Sequence, residues 1–249
     1  MSDYLNDPAK MRKLLENWVS LGWLREIDAA LTRFLVTEVP STDPALMLAI
    51  ALVSHQLGRG HVCLDLDAVL ADPGMALSLP PEQDGMPDES TVLKPHNLLA
   101  GWSVDDWRAR LTAPKLVGDG EARTPLVLAD NRLYLRRYWR YERQVEAAIA
   151  ARLADDKATT TNWTEVDFRK TLDSLFPASG SGKNDWQKIA CALAARSAFS
   201  IVTGGPGTGK TTTVVRLLAL LQSMALRQDA ERPLQIRLAA PTGKAAARL

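Results

Sequence analysis

Only two cysteines occur in the 249 residues, Cys63 and Cys191, and they lie far apart. That excludes a disulfide framework. With only three histidines, His55, His61 and His96, there is no metal-ligand spacing either. The histidines read as structural or surface residues. No carboxylate cluster has the character of a nuclease site. The start, "MSDYLNDPAKMRKLLENW", lacks the basic-then-apolar layout of a secretion signal. The most apolar run, "PALMLAIALVSHQLG", holds His and Gln and is shorter than the ~20 residues of a membrane span. There are no internal repeats. The net charge of +1 points to no class of partner. A protein of the reducing cytoplasm is the expectation.

What is present is ordinary for a soluble globular chain: 46% apolar and 24% charged residues. The length suits one large domain or two ordinary ones. Leu14, Trp18 and Leu21 share one helical face, and Leu24, Ile27, Leu31 and Phe34/Leu35 share another, with Gly22 between. Asp43 as N-cap and Pro44 at the first position open a helix that ends at Gly58. It is apolar nearly all round, so it belongs in a core. "HVCLDL" reads as a short strand, 72–95 as mostly loop and "DDWRARL" as a short helix. "TPLVLADNRLYLRRYW" reads as a hairpin turning at Asp130-Asn131. A helix follows with Tyr141, Val145, Ala148/Ile149 and Leu153 on one face.

Acidic residues dominate from His61 to Asp130, and arginines from Arg132 to Arg143. In that second stretch Tyr134, Tyr138, Trp139 and Tyr141 interleave with Arg132, Arg136, Arg137, Arg140 and Arg143. Such a mixture suits nucleic-acid stacking, a protein interface, or a half-buried strand and helix. The residues leave all three open.

"WTEVDFRKTLDSLF" is a further helix, and "ASGSGKN" is a small-residue linker. Beyond it the pattern becomes helix "DWQKIACALAARS", strand "AFSIVTG", loop, helix "TTTVVRLLALLQSM", strand "LQIRLAA" and a helix start. That is the opening of a parallel α/β sheet. The loop "GGPGTGKT", Gly204 to Thr211, satisfies G-x-x-x-x-G-K-[ST] in a strand–helix setting. Its glycines let successive N–H groups turn inward on a phosphate, and the helix N-terminus adds about half a positive charge. Lys210 supplies a cation for the β/γ-phosphates and Thr211 a hydroxyl for Mg²⁺. The bland alternative is a Gly-rich turn. Gln187, on the preceding helix, can donate and accept together, as reading an adenine edge requires; on residue type alone the ordinary reading is an exposed helix position.

The run "NDWQKIACALAARSAFSIVTGGPGTGKTTTVVRLLALL" followed by "IRLAAPTGKAAARL" closely resembles the RecD-type family, the α subunits of exodeoxyribonuclease V, which are superfamily-one DNA helicases. "GHVCLDL" and "PLVLADNRLYLRRYWRYE" resemble that family's N-terminal part more loosely. The resemblance implies an α/β protein with a mainly helical, partner-docking domain over 1–155 that includes the β-hairpin. A helix and linker would follow over 156–183, and the start of a RecA-like P-loop domain, incomplete, over 184–249. It implies ATP and Mg²⁺ as cofactors, held by Gln187, Gly204, Gly205, Pro206, Gly207, Thr208, Gly209, Lys210, Thr211 and Thr212. Lys210 and Thr211 would be the catalytic pair, and Thr211 the metal contact. Pro241, Thr242, Gly243 and Lys244 would grip the backbone of single-stranded DNA, a contact without sequence information; Thr242 is also an ordinary N-cap for an Ala-rich helix.

The activity implied is ATP-dependent 5′-to-3′ unwinding within a heterotrimeric helicase/nuclease, alongside RecB- and RecC-type subunits. Its substrate would be double-strand DNA ends in recombinational repair, and the cutting would belong to another subunit. The family's acidic, water-positioning and arginine motifs follow "APTGKAAARL" and are not among these residues. The expectation is therefore an N-terminal part of a longer helicase that does not hydrolyse ATP alone. The alternative is a non-catalytic piece that docks on a partner subunit and at most binds nucleotide.

Overall fold

A computed structural model describes residues 3–81, 92–154, 163–177 and 184–240. The chain divides into two units, Met1–Gln144 and Val145–Leu249.

The first unit begins with a 3₁₀ turn (Asp3–Asn6) and three helices, α1 (Pro8–Ser20), α2 (Glu26–Glu38) and α3 (Pro44–Gly58). Asp7 caps α1 by accepting from the N–H groups of Ala9 and Lys10, with Pro8 at the first position. Gly22, at φ 71°, turns the chain between α1 and α2, as the sequence anticipates. Asp43 caps α3 through the N–H of Ala45. Every residue of α3 from Pro44 to Gln56 is buried, so the helix without a polar face is the centre of the core. Trp18, Trp23, Trp107, Met47, Leu48 and Ile50 are nearly or fully enclosed in that core. Each such side chain contributes roughly 1.5–3 kcal/mol.

One charge sits inside this core. Asp28 is wholly buried. Its carboxylate accepts from Arg25 Nε, Arg25 Nη2, the Arg25 backbone N–H and Ser54 Oγ. That bond to Asp28 raises the Arg25 pKa. The guanidinium also lies so close over Gly58 that a Cβ there would come within 2.3 Å of it.

Four short strands follow among small helices: β1 (Leu64–Asp65), α4 (Leu66–Ala71), α5 (Pro73–Leu77), α6 (Pro95–Leu98), α7 (Val104–Arg110), β2 (Val117–Gly118), β3 (Leu126–Ala129) and β4 (Arg132–Leu135). The sheet order is β1-β4-β3-β2. β4 pairs antiparallel with both β1 and β3, and β2 pairs parallel with β3. The hairpin turns at Asp130, φ 50°, as expected, with Val127 opposite Tyr134. Part of 72–95 differs from the loop expected there. Pro73 and the Asp72 carboxylate, which accepts from Met75 N–H, nucleate α5; residues 82–91 lie outside the described set. The hairpin also ends earlier. Arg136 donates to the carbonyls of Gly120 and Thr124 and to Thr124 Oγ1, which fixes the turn into α8 (Arg136–Ala154). Arg136 to Trp139 are therefore helical. α8 runs from the first unit into the second, and none of its residues is buried.

The second unit contains α9 (Glu165–Leu175), α10 (Trp186–Ala195) and α11 (Lys210–Gln228). Leu172, Phe176, Cys191, Ala195, Leu220 and Met224 form its core. Arg216 lies over the Phe176 ring, 4.6 Å from its centroid. The segments "AFSIVTG" and "LQIRLAA", expected as strands, carry no ladder. A strand needs a hydrogen-bonding neighbour, and these two do not pair with each other. Their apolar side chains stay exposed: Ile201 is 75% and Leu238 49% accessible. The α/β class holds, with the paired strands in the first unit. Residues 178–183 of the linker and 241–249 lie outside the described set. Among the described residues no helix is long and apolar enough to cross a membrane, and no group of His, Cys, Asp and Glu could hold a metal ion.

Candidate nucleotide-binding loop

Among the described residues, seven helices are capped by a side-chain oxygen, from Asp7, Asp43, Asp65, Asp72, Ser103, Thr164 and Asp185. α11 is not. Its N-cap is Gly209, in the left-handed region, and no side chain accepts from its first turn. The leading N–H groups of a 19-residue helix are thus left for something else. The N-terminal end of a helix is where an anion is held.

The loop before it is shaped by its glycines. Gly207 and Gly209 have φ of 74° and 80°, which L side chains rarely adopt. A Cβ on Gly204 would lie 2.7 Å from Thr208 Oγ1, and one on Gly209 only 2.4 Å from Gln187 Nε2. The backbone closes on itself where side chains would intrude. Thr208 Oγ1 donates to the Gly205 carbonyl at 2.9 Å. Lys210 Nζ reaches back over the loop and donates to the carbonyls of Gly204 and Gly205, both at 2.6 Å. The ammonium is thereby held at the loop's centre, where it would meet a phosphate. Thr211 and Thr212 are exposed in the first turn of α11.

Gln187 joins this loop. The Asp185 carboxylate caps α10 through the N–H groups of Gln187 and Lys188. From that first turn Gln187 Nε2 donates to the Thr208 carbonyl at 3.1 Å. Among the described residues no donor meets its Oε1, so the amide keeps an acceptor. Thus Gln187, Gly204, Gly205, Thr208, Gly209 and Lys210 come together in one small region. Pro206 and Gly207 form its exposed rim. Pro241, Thr242, Gly243 and Lys244 lie outside the described residues. Sequence reasoning missed the role of the Thr208 carbonyl, which latches α10 to the loop; no residue pattern reports a backbone acceptor 21 positions away.

The donor set fits a nucleotide phosphate with Mg²⁺: uncapped N–H groups, one ammonium, and exposed threonine hydroxyls. Comparison with known proteins agrees. Residues 20–134 match the family model described as RecBCD enzyme subunit RecD, N-terminal domain. Residues 187–249 match that of the AAA domain.

The chain is similar to RecD proteins along most of its length.

It is 34% identical over 212 residues to the RecBCD enzyme subunit RecD of Haemophilus influenzae, covering 84% of this chain and 31% of that protein. The RecD of Mycobacterium tuberculosis is 36% identical over 229 residues, 92% of this chain and 33% of the relative. The ATP-dependent RecD2 DNA helicase of Deinococcus radiodurans is 37% identical over 93 residues, 32% of this chain and 12% of that protein. The chain thus spans about a third of the length of the RecD relatives it matches and corresponds to their N-terminal portion.

Proposed function

We propose that this chain is the N-terminal part of an ATP-dependent DNA helicase subunit of a RecBCD-type helicase/nuclease. One observation carries the reading: an uncapped helix N-terminus, a glycine loop folded on Lys210, and Gln187 latched beside it. Lys210 would neutralise the β/γ-phosphates. The α11 N–H groups would hold their oxygens, and Thr211 would contact Mg²⁺. The Gln187 amide would read the adenine edge. Bound Mg²⁺ and ATP would supply a polarised phosphoanhydride.

Pro241, Thr242, Gly243 and Lys244 would hold single-stranded DNA from double-strand ends by its backbone. The polarity would be 5′-to-3′, and the partners would be RecB- and RecC-type subunits in the cytoplasm during recombinational repair; these points rest on the family resemblance. So does a division into a partner-docking domain over 1–155, a helix and linker over 156–183, and a P-loop domain over 184–249. Among the described residues no carboxylate contacts Lys210 or Thr211. Binding, rather than turnover, is therefore the property expected of these residues alone.

Binding of Mg²⁺–ATP to the 249-residue chain tests the reading. Lys210→Ala should weaken it at least tenfold, about 1.4 kcal/mol. Equal binding by the two proteins would sink it. A second reading, in which the chain docks on a partner subunit and at most binds nucleotide, is favoured by the self-contained core of the first unit. Co-purification with RecB- and RecC-type subunits by Lys210→Ala, undiminished, supports that reading if nucleotide binding fails.

A further inference from the structure

The two ends of the Gln187 amide are used differently. Its nitrogen faces the Thr208 carbonyl at 3.1 Å. A carbonyl can only accept, so the amide nitrogen and not its oxygen sits there. Among the described residues that carbonyl accepts from Gln187 alone. The first bond of α11 runs from the Thr213 N–H to the Gly209 carbonyl, so the helix begins one residue too late to use it. Nε2 also lies 2.4 Å from where a Cβ on residue 209 would be, so the amide fills the space that glycine leaves. α10 holds it in that place. Asp185 fixes the first turn of α10, and Cys191 and Ala195 pack it beside Leu220 and Met224 of α11.

The oxygen is left over. Gln187 is half-buried, yet Oε1 meets no donor among the described residues and is not closed off from solvent. What is open at this position is therefore an acceptor alone. A purine edge read there has to donate. Adenine offers its 6-amino group. Hypoxanthine and guanine offer a 6-oxo group, which would set one acceptor against another. Turning the amide nitrogen to N7 of a base would take it from Thr208 and release the loop from α10.

We infer that the bond to Thr208 persists under a bound nucleotide. Gln187 then reads one atom of the base, the 6-amino nitrogen, and leaves N7 unread, while its other end holds the phosphate loop in place. It is a specificity-determining residue for 6-aminopurines and a positioning residue for the loop. The inference rests on the nucleotide-binding reading of this loop.

The test is competition against a ribose-labelled fluorescent ATP, with Mg²⁺, on the 249-residue chain. ATP and 7-deaza-ATP, which lacks the N7 acceptor, should bind within about twofold of each other. Inosine triphosphate should bind about tenfold more weakly. Gln187→Ala, a substitution that favours helix, should erase the difference between ATP and inosine triphosphate. It should also weaken inorganic tripolyphosphate, which has no base, by about threefold. A loss with 7-deaza-ATP as large as that with inosine triphosphate overturns the proposal, because the nitrogen would then have left the loop for N7. So does tripolyphosphate binding unchanged in Gln187→Ala, which would make the residue a base reader only. An unchanged ratio of ATP to inosine triphosphate in that variant also overturns it, since the role would then be structural only. In these three cases ATP still binds and the nucleotide-binding reading stands. No binding of ATP by the unaltered chain overturns both.

Discussion

The two units are built on different economies of burial. The first wraps three helices and a four-stranded sheet around α3, and its core contains three enclosed tryptophans. The second holds α9, α10 and α11 together with six buried apolar side chains among the described residues, and leaves Ile201, Leu234, Ile236 and Leu238 exposed. The difference separates stability from chemistry. The unit with the dense core carries its own fold, while the unit with the candidate site keeps its loop open and its helix end uncapped.

The largest way to test that contrast is Trp18→Ala. Emptying a fully enclosed indole should cost about 3–5 kcal/mol, read as loss of the first unit's cooperative melt. Hydrogen exchange in α10 and α11 should stay unchanged if the units are independent. Leu220→Ala is the complement. It should cost about 2–3 kcal/mol and accelerate exchange in α9–α11, with the first unit's melt unmoved. A single shared transition in both variants would break the comparison.

Gly209→Ala is smaller, about 1–2 kcal/mol of left-handed strain. Its added Cβ also falls on Gln187 Nε2. It should abolish Mg²⁺–ATP binding in equilibrium dialysis at a stability cost confined to the second unit.

The smallest effect concerns pH. Burial lowers the His55 pKa from 6.5, so the folded state resists a proton that the unfolded chain accepts. The neutral imidazole's contribution is complete above about pH 6.5 and is lost as pH falls from there through the lowered value. Denaturant melts of the first unit should show that acid slope, and His55→Gln should flatten it.

Local features were legible in the sequence. Asp43-Pro44 marks the start of α3 and its unbroken apolar character marks its burial, because both signals lie within the segment. The loop at 204–211 was legible for the same reason: glycines and Lys210 act on their own neighbours. Features assembled from distant segments were not. The latch joins Gln187 to the Thr208 carbonyl, which no periodicity links. Periodicity aligned Tyr141, Val145 and Leu153, yet α8 buries none of them, since an apolar stripe specifies a face and not the surface that covers it. "FSIVT" and "IRLAA" have strand composition, but composition cannot supply a neighbour to pair with.

The bare end of α11 has a consequence for the energy of the second unit. An anion at that end would do for α11 what Asp7, Asp43 and Asp185 do for their helices, so a bound nucleotide would complete the architecture as well as occupy it. By mass action, a ligand at a hundred times its Kd adds about 2.7 kcal/mol to whatever binds it. For a unit held by so small an apolar core among its described residues that is a large fraction of the whole. How long this part of the chain stays folded would then follow the nucleotide supply around it, and starvation would be felt first as loosening of structure.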